Sequence, residues 1–283
     1  MAALSTQDDF KNLRALIAKI QEIAVLPHVV FKVLEITGSS ESPASEIERA
    51  VIVDPGFSTK LLALANSAYY SLPRKVSTIR EAVMFLGFKA VRQMAMTVGV
   101  FELFAGKSDH ESLRRRSWWR HSVDTAVCCR AIALHTRKLQ PDEAYTCGLL
   151  HLIGRTFLDR FGDGSYDEVE AMISAGATEI SAERSVFGLV HTEASLAAAV
   201  KWGLPQSLTA SLNYLVPPDP GDEFALNRAC VAVATKIATA ALNPERADEP
   251  PTWALELLEI DPDQYAEIVA VGLDAIARAA ELH

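Results

Sequence analysis

Three of the seven histidines lie in apolar segments where they could serve as metal ligands. His121 lies within RHSVDTA, His151 within GLLHLIGR and His191 within FGLVHTEAS. Three neutral imidazoles around one open position are a ligand set used by catalytic zinc ions. No local spacing in the sequence brings these three side chains together, so a shared site would depend on the fold. The alternative is that they form hydrogen bonds across a helical core.

Other catalytic and binding motifs are absent from the sequence or weak. There is no GxSxG elbow, Walker loop or GxGxxG after a strand. The four cysteines have no CxxC spacing and lie in apolar helical patterns, which predicts buried, reduced thiols in a reducing compartment; they are Cys128, Cys129, Cys147 and Cys230.

A basic segment precedes two tryptophans. Arg114, Arg115 and Arg116 come shortly before Trp118 and Trp119. Basic residues beside aromatic rings can bind phosphates or bases, and they also occur at protein-interaction hot spots. On a helix the two rings point to different sides, so we favour a solvated basic face with core tryptophans over a protein contact or a nucleotide site.

Composition and charge limit the class of protein. The chain has 283 residues, 49% of them hydrophobic, which is enough for one large core or two smaller ones. Charged residues interrupt every apolar run before the roughly 20 residues that a membrane span needs. The net charge of −9 opposes general binding to nucleic acid. An acidic start without a signal-peptide pattern predicts a cytoplasmic location.

The hydrophobic period predicts an all-α fold. Asp54 as a cap and Pro55 at the first helical position begin a helix that we expect to run through LLALANSAYY, and Gly87 should close a later one. The polar stretch 106–117 suggests a junction between subdomains 1–107 and 108–283. Further helices are predicted over 8–24, 45–53, 117–137, from about 142 through CGLLHLIG, and over 166–175, 178–187, 190–202, 206–215, 222–242 and 261–281.

Residues 26–104 contain the runs LLALANSAYY and VSTIREAVMFLGF, together with Arg92 and the marker residues Asp54, Pro55, Asn66, Ser67, Pro73 and Gly87. This combination resembles the amino-terminal half of the HDOD family, the HD-related output domains of bacterial signalling proteins. The physical chemistry of Asn66 and Ser67, late in a helix, favours a packing role over direct contact with a ligand.

The second half is similar to HD-type phosphohydrolases, which bind a metal through a His, an adjacent His-Asp pair and a later Asp. The matching positions are His121, His151-Leu152 and Thr235, so two carboxylates are missing. A later stretch matches with Glu183, Phe187-Gly188, His191, Trp202 and Leu204-Pro205. Where some family members have a His-His pair, this chain has Asn213-Tyr214. The resemblance covers about residues 20–240.

The resemblance implies a regulatory module without catalysis. An anionic ligand helps to hold a divalent cation, and Leu152 cannot replace one. We therefore expect no metal and no cofactor, and protein partners bound at the groove between the halves and at residues 106–120. One alternative is a divergent phosphohydrolase with metal held by the three histidines. Another is a sensor that binds a nucleotide in the same pocket through Arg155, Lys201 or Arg120.

Overall fold

The computed structural model describes residues 15, 17–19, 27–37, 44–104, 109–162 and 164–280, without the side chains of residues 109–112 and 246. Most of the helix predicted over 8–24 lies outside these residues. The α-helices are α1 (His28–Thr37), α2 (Ala44–Ile52), α3 (Pro55–Ala65), α4 (Ile79–Phe104), α5 (Asp109–Thr136), α6 (Pro141–Leu150), α7 (Ile153–Phe161), α8 (Tyr166–Ser174), α9 (Glu179–Phe187), α10 (His191–Lys201), α11 (Gln206–Ser211), α12 (Ala225–Leu242), α13 (Thr252–Leu258) and α14 (Pro262–Arg278).

The all-α prediction is confirmed, since no strand occurs within the described ranges. Helix α5 is the central element and packs on α6, α12 and α14, while α7 packs on α10. A single hydrophobic cluster extends from Val29 in α1 to Ala279 after α14. A continuous core does not mark a boundary, so the division into residues 1–107 and 108–283 stays a prediction.

The caps of α3 and the break in α4 follow from the local sequence. The Phe57 amide donates to Oδ1 of Asp54 at 2.9 Å, and Pro55 occupies the first turn, as predicted. The helix ends at Ala65, earlier than expected, because the Asn66 side chain turns to bond the loop at Val76. Gly87 has a φ of 81°, which breaks α4 into two helical segments at the predicted position.

Helix α5 begins at Asp109, about two turns before the predicted start near residue 117. The polar stretch is helical because its arginines have partners elsewhere in the fold. Nη2 of Arg114 lies 2.8 Å from Oδ1 of Asp159 in α7, and Arg115 donates to Oδ2 of the same carboxylate from Nε at 2.8 Å and Nη2 at 2.7 Å. The Arg115 side chain is 1% exposed. The expected solvated face is therefore wrong for Arg114 and Arg115.

Two other helix predictions need correction. The run CGLLHLIG is not one helix, because a turn at His151 and Leu152 separates α6 from α7. Before the turn, Gly148 of α6 lies against the backbone of Ala126, where a Cβ would stand only 2.6 Å from the Ala126 Cα. Helix α13, Thr252–Leu258, was not predicted, because seven residues after a proline pair show too little periodicity.

Two helices are long and apolar enough to cross a membrane by length and composition alone. They are Ile79–Phe104 and Ala225–Leu242, and 56% of each apolar window is buried inside the protein. The first is interrupted at Gly87. Both helices contribute side chains to the common core.

Candidate functional site

Two of the three histidines face each other across α5 and the turn after α6. The ring centroids of His121 and His151 are 5.4 Å apart. His151 is fully buried, and its Nδ1 lies 2.6 Å from the Gly148 carbonyl oxygen, which fixes Nδ1 as the protonated nitrogen. Its Nε2 is buried and forms no hydrogen bond among the described residues. The unshared electron pair on Nε2 of His151 is therefore buried, in a ring that lies between those of His121 and Tyr214.

His191, at the first position of α10, has both ring nitrogens in contact with other side chains. Its Nδ1 lies 2.8 Å from Oε2 of Glu183, and its Nε2 lies 2.9 Å from the hydroxyl of Tyr214. The Tyr214 ring lies between the histidines, 5.3 Å from the His151 centroid and 6.0 Å from that of His191. The fold thus links the three predicted histidines in a row, with His121 beside His151 and Tyr214 between His151 and His191, but it does not leave His191 free to bind a metal.

Glu183 is the acceptor at the centre of a buried network. It accepts hydrogen bonds from the Tyr166 hydroxyl at 2.8 Å and from both the backbone amide and Nδ1 of His191. The backbone bond satisfies an amide at the start of α10 that has no helical acceptor. The side chains of Glu183 and His191 are both fully buried, so each depends on the other for a counter-charge or a hydrogen bond.

Arg155 binds the same network from α7. It donates to Glu179, and its Nε lies 3.8 Å from Oε1 of Glu183. Glu179, Glu183 and His191 bring three potential ligand atoms within 4.8 Å of one another, which is a spacing that a metal could use. The guanidinium of Arg155 already neutralises these carboxylates, and a cation added beside it would meet a like charge.

The pKa values of the paired histidines favour their neutral form. Desolvation by burial and then the charge of Arg155 lower the pKa of His121 from 6.5 to about 3. Burial, and next the neighbouring His121, lower the pKa of His151 well below 6.5, although its bond to Gly148 acts in the opposite direction. Both imidazoles are therefore uncharged at neutral pH and could act as metal ligands or hydrogen-bond acceptors.

The remaining positions of the predicted metal site do not supply acidic ligands. Leu152 is 1% exposed and lies in the turn before α7. Thr235 is buried in α12, and its hydroxyl donates to the Ala232 carbonyl at 3.0 Å. Among the described residues, no carboxylate makes an ion pair or hydrogen bond with His121 or His151. Without acidic ligands at these two positions, His121 and His151 alone do not form a ligand set suited to a catalytic divalent cation.

The family-marker residues mostly hold the framework. Asn66 donates from Nδ2 to the carbonyls of Leu62 and Val76 and accepts from the Val76 amide, while the Ser67 hydroxyl bonds the Leu64 carbonyl. Trp202 ends α10 and packs on Phe157 at 6.1 Å. Pro73 lies in the loop before α4, and Pro205 precedes α11.

The tryptophans lie on opposite sides of α5, as their spacing predicts. Trp118 packs edge-on against Tyr166 at 4.7 Å, and Trp119 packs against Phe101 at 5.2 Å. Both are buried, so neither can serve as a stacking platform. The four cysteines are buried as free thiols, as predicted.

Sequence comparison places the chain in a family. The HDOD domain model matches residues 23–216, and the chain therefore belongs to the HDOD family. A relative from Treponema pallidum (strain Nichols), of uncharacterized function, is 28% identical over 229 residues, which are 75% of this chain and 41% of that protein. The chain thus spans less than half the length of this relative.

Solved structures share the fold along almost the whole chain. An HDOD domain protein of unknown function from Geobacter sulfurreducens is 26% identical with a TM-score of 0.72, covering 98% of this chain and 94% of its own. A candidate phosphohydrolase from Shewanella amazonensis SB2B is 25% identical with a TM-score of 0.71, covering 93% and 97%. Because the Geobacter sulfurreducens structure covers 98% of this chain, the shared fold extends beyond residue 240, which was the limit expected from the sequence.

Sequence reasoning missed two members of the network. Tyr166 and Glu179 were not candidates, because neither belongs to a motif and both bind partners from other helices. Tyr214 did stand out as a departure from a His-His pair, and this departure proves to be the residue that contacts His191. Arg155, a candidate phosphate ligand, is instead paired with Glu179 and Glu183.

Proposed function

We propose that this protein is a non-catalytic regulatory module of bacterial signal transduction that acts through contacts with other proteins in the cytoplasm. The observation that carries the proposal is the occupation of both His191 nitrogens by Glu183 and Tyr214. With Leu152 and Thr235 in place of acidic ligands, only two neutral imidazoles remain for a metal. Membership of the HDOD family supports a signalling role, and no metal, cofactor, membrane or general nucleic-acid partner is part of the proposal.

The first turns of α5 offer a surface for a protein partner. Leu113 is 66% exposed, and Arg116, three residues later, is also exposed, whereas Arg114 and Arg115 are held by Asp159. An apolar side chain beside an arginine is a combination common at the centres of protein interfaces. The groove between residues 1–107 and 108–283 is the second predicted surface.

Metal analysis and hydrolysis assays on the purified chain test the absence of catalysis. We expect substoichiometric metal after mild purification and no turnover of cyclic dinucleotides above buffer with added Mn²⁺, Fe²⁺ or Zn²⁺. Stoichiometric metal, with turnover that His151→Ala abolishes and His135→Ala retains, would contradict the proposal. His135 is a suitable control because it is partly exposed near the end of α5 and pairs with Glu267.

Affinity capture from the native organism tests the protein-contact part. The paired substitution Leu113→Asp with Arg116→Glu should abolish capture of a partner that the unmodified chain retains after salt washing. Val53→Asp with Lys75→Glu, at two exposed positions, makes the same change of charge and serves as the matched control. Capture that survives the paired substitution would exclude the α5 surface.

A divergent phosphohydrolase is the second candidate function. It is favoured by the unbonded Nε2 of His151 beside His121 and by the description of the Shewanella amazonensis structure. It requires a metal bound without a carboxylate, and the assays above distinguish it from the regulatory module.

A further inference from the structure

A cleft of about 290 Å³ lies between the two halves of the chain, away from the histidines. One wall is formed by α4, just after the break at Gly87, and the other by the starts of α6 and α11. Lys89, Arg92 and Gln93 of α4 line the first wall, and Asp142 and Glu143 of α6 line the second. Positions 89, 92 and 93 share one helical face, so their three hydrogen-bond donors point into the same space.

The basic side chains of this cleft lack partners, whereas the acidic ones have them. Within the described part of the chain, neither Lys89 nor Arg92 makes an ion pair or a side-chain hydrogen bond. By contrast, Oδ1 of Asp142 lies 3.7 Å from Nε of Arg130, and Oε1 of Glu143 accepts from Asn227 at 3.2 Å. Lys89 and Arg92 on the α4 wall are therefore available to an anionic group, on the side of the cleft opposite Asp142 and Glu143.

Gln93 adds a buried donor to the same wall. The residue is 5% exposed, and its amide interacts with the hydroxyl of Tyr145, although Nε2 forms no hydrogen bond of standard geometry with the described residues. Buried amide groups in folded proteins nearly always have a well-aligned partner, so this weakly bonded donor can still accept a further partner from the cavity. An oxygen atom of a ligand would satisfy it.

The rest of the cleft has both apolar and polar groups. Its apolar surface comes from Leu34, Met96, Leu204, Pro205 and Leu208, and its polar groups come from Gln140, Thr146 and Ser207. The volume of the cleft is just below the range of about 300–1,000 Å³ typical of small-molecule sites, so a small ligand would fit it. We propose that this cleft binds a small organic anion, a carboxylate or a phosphate monoester on an apolar body, with the anionic group held by Lys89 and Arg92. This goes beyond the proposed function, because it assigns a ligand to the groove and leaves the α5 surface for a protein partner.

Calorimetric titration of the full chain tests the site with three probes, namely inorganic phosphate, hexyl phosphate and hexanoate. We expect saturable binding of hexyl phosphate, of hexanoate or of both. Their affinity should exceed that of inorganic phosphate, because the carbon chain contacts the apolar lining of the cleft. Arg92→Gln and Lys89→Gln should each weaken it by roughly tenfold or more, since a charge-assisted hydrogen bond is lost. Ser207→Trp should abolish binding by filling the cleft without altering its charge.

The controls distinguish binding in this cleft from non-specific attraction to positive charge and from binding near the histidines. Arg116→Gln removes one exposed positive charge elsewhere and should leave the affinity unchanged, and thermal melts establish that each variant folds. No saturable binding at 10 mM of any probe, or equal losses in Arg116→Gln and Arg92→Gln, would overturn the proposal. His151→Ala should also leave the affinity for the probe unchanged. The test of the cleft is therefore independent of whether the histidines bind a metal.

Discussion

Nε2 of His191 lies 2.9 Å from the hydroxyl of Tyr214. This contact engages one ring nitrogen of His191, while Glu183 engages the other. An imidazole with both nitrogens bonded can join a metal only if one bond breaks, at a cost comparable to exposing a buried polar group. The fold therefore uses His191 as a structural link between α9, α10 and the segment after α11.

Stability should fall in acid because of Glu183. Burial would raise the pKa of its carboxyl, but attraction to His191 and Arg155 and the bonds from His191 outweigh burial and lower the pKa from 4.5 to about 2. A depressed folded-state pKa contributes stability above the unfolded pKa of 4.5, and this is lost as the pH falls toward 2, by about 3 kcal/mol in all. Urea unfolding at pH 7, 5, 4 and 3 measures the slope.

Glu183→Gln should flatten this acid slope and lower the stability at pH 7. Glu170→Gln, which changes an exposed glutamate of α8, should retain both the slope and the stability. An unchanged slope in Glu183→Gln would mean that other carboxylates cause the acid sensitivity.

Arg115→Gln should destabilise the protein strongly. Arg115 is buried and donates twice to Asp159, so its removal leaves an acidic group in the core with one fewer partner. Losing one member of a buried ion pair costs about 3–5 kcal/mol. Thermal and urea unfolding measure the change, and Arg116→Gln, at the next position on the exposed side, should change the unfolding free energy by less than about 0.5 kcal/mol. Similar values for the two variants would refute the structural role of Arg115.

Asn66→Ala should loosen the loop between α3 and α4. The Asn66 amide makes three hydrogen bonds, two of them to the backbone of Val76, ten residues away. We expect a loss of about 2 kcal/mol in unfolding free energy, and faster hydrogen exchange at the Val76 amide, because buried backbone groups lose their partner. Ser67→Ala removes a single local bond and should cost less. Equal exchange rates at Val76 in the wild type and Asn66→Ala would contradict this account.

Gly154→Ala should disturb the contact between α7 and α10. A Cβ at Gly154 would collide with the carbonyl oxygen of His191 and lie 2.7 Å from Oγ of Ser195. Because the colliding atom belongs to the backbone, it cannot rotate away and the two helices must separate. Overpacking of this kind lowers the free energy of unfolding by about 1–3 kcal/mol or more. Gly56→Ala is the matched control, since its Cβ would meet Asp54 at an ordinary 3.4 Å. A melting temperature of Gly154→Ala equal to that of the wild type would disprove the close approach.

The helices and their local caps could be predicted from the sequence because their causes lie within a few residues. The apolar period of 3.6, the Asp54-Pro55 start and the positive φ of Gly87 depend on neighbours along the chain. The missing acids at Leu152 and Thr235 were equally visible, as was the HDOD family. The predicted helix boundaries were wrong where long-range contacts determine them. At the start of α5, Asp159 stabilises arginines that the sequence alone places in a polar loop.

Only the tertiary structure decided how the histidines are used. Nothing local relates Tyr166 to Glu183, Arg155 to Glu179 or His191 to Tyr214, since the members of each pair are 17 to 24 residues apart along the chain and lie on different helices or segments. The packing of the helices brings such partners together. Burial then strengthens each hydrogen bond, because it excludes the water that would compete for the donor and the acceptor. The residue types that could hold a metal were evident from the sequence, whereas the fold determined that they bind one another.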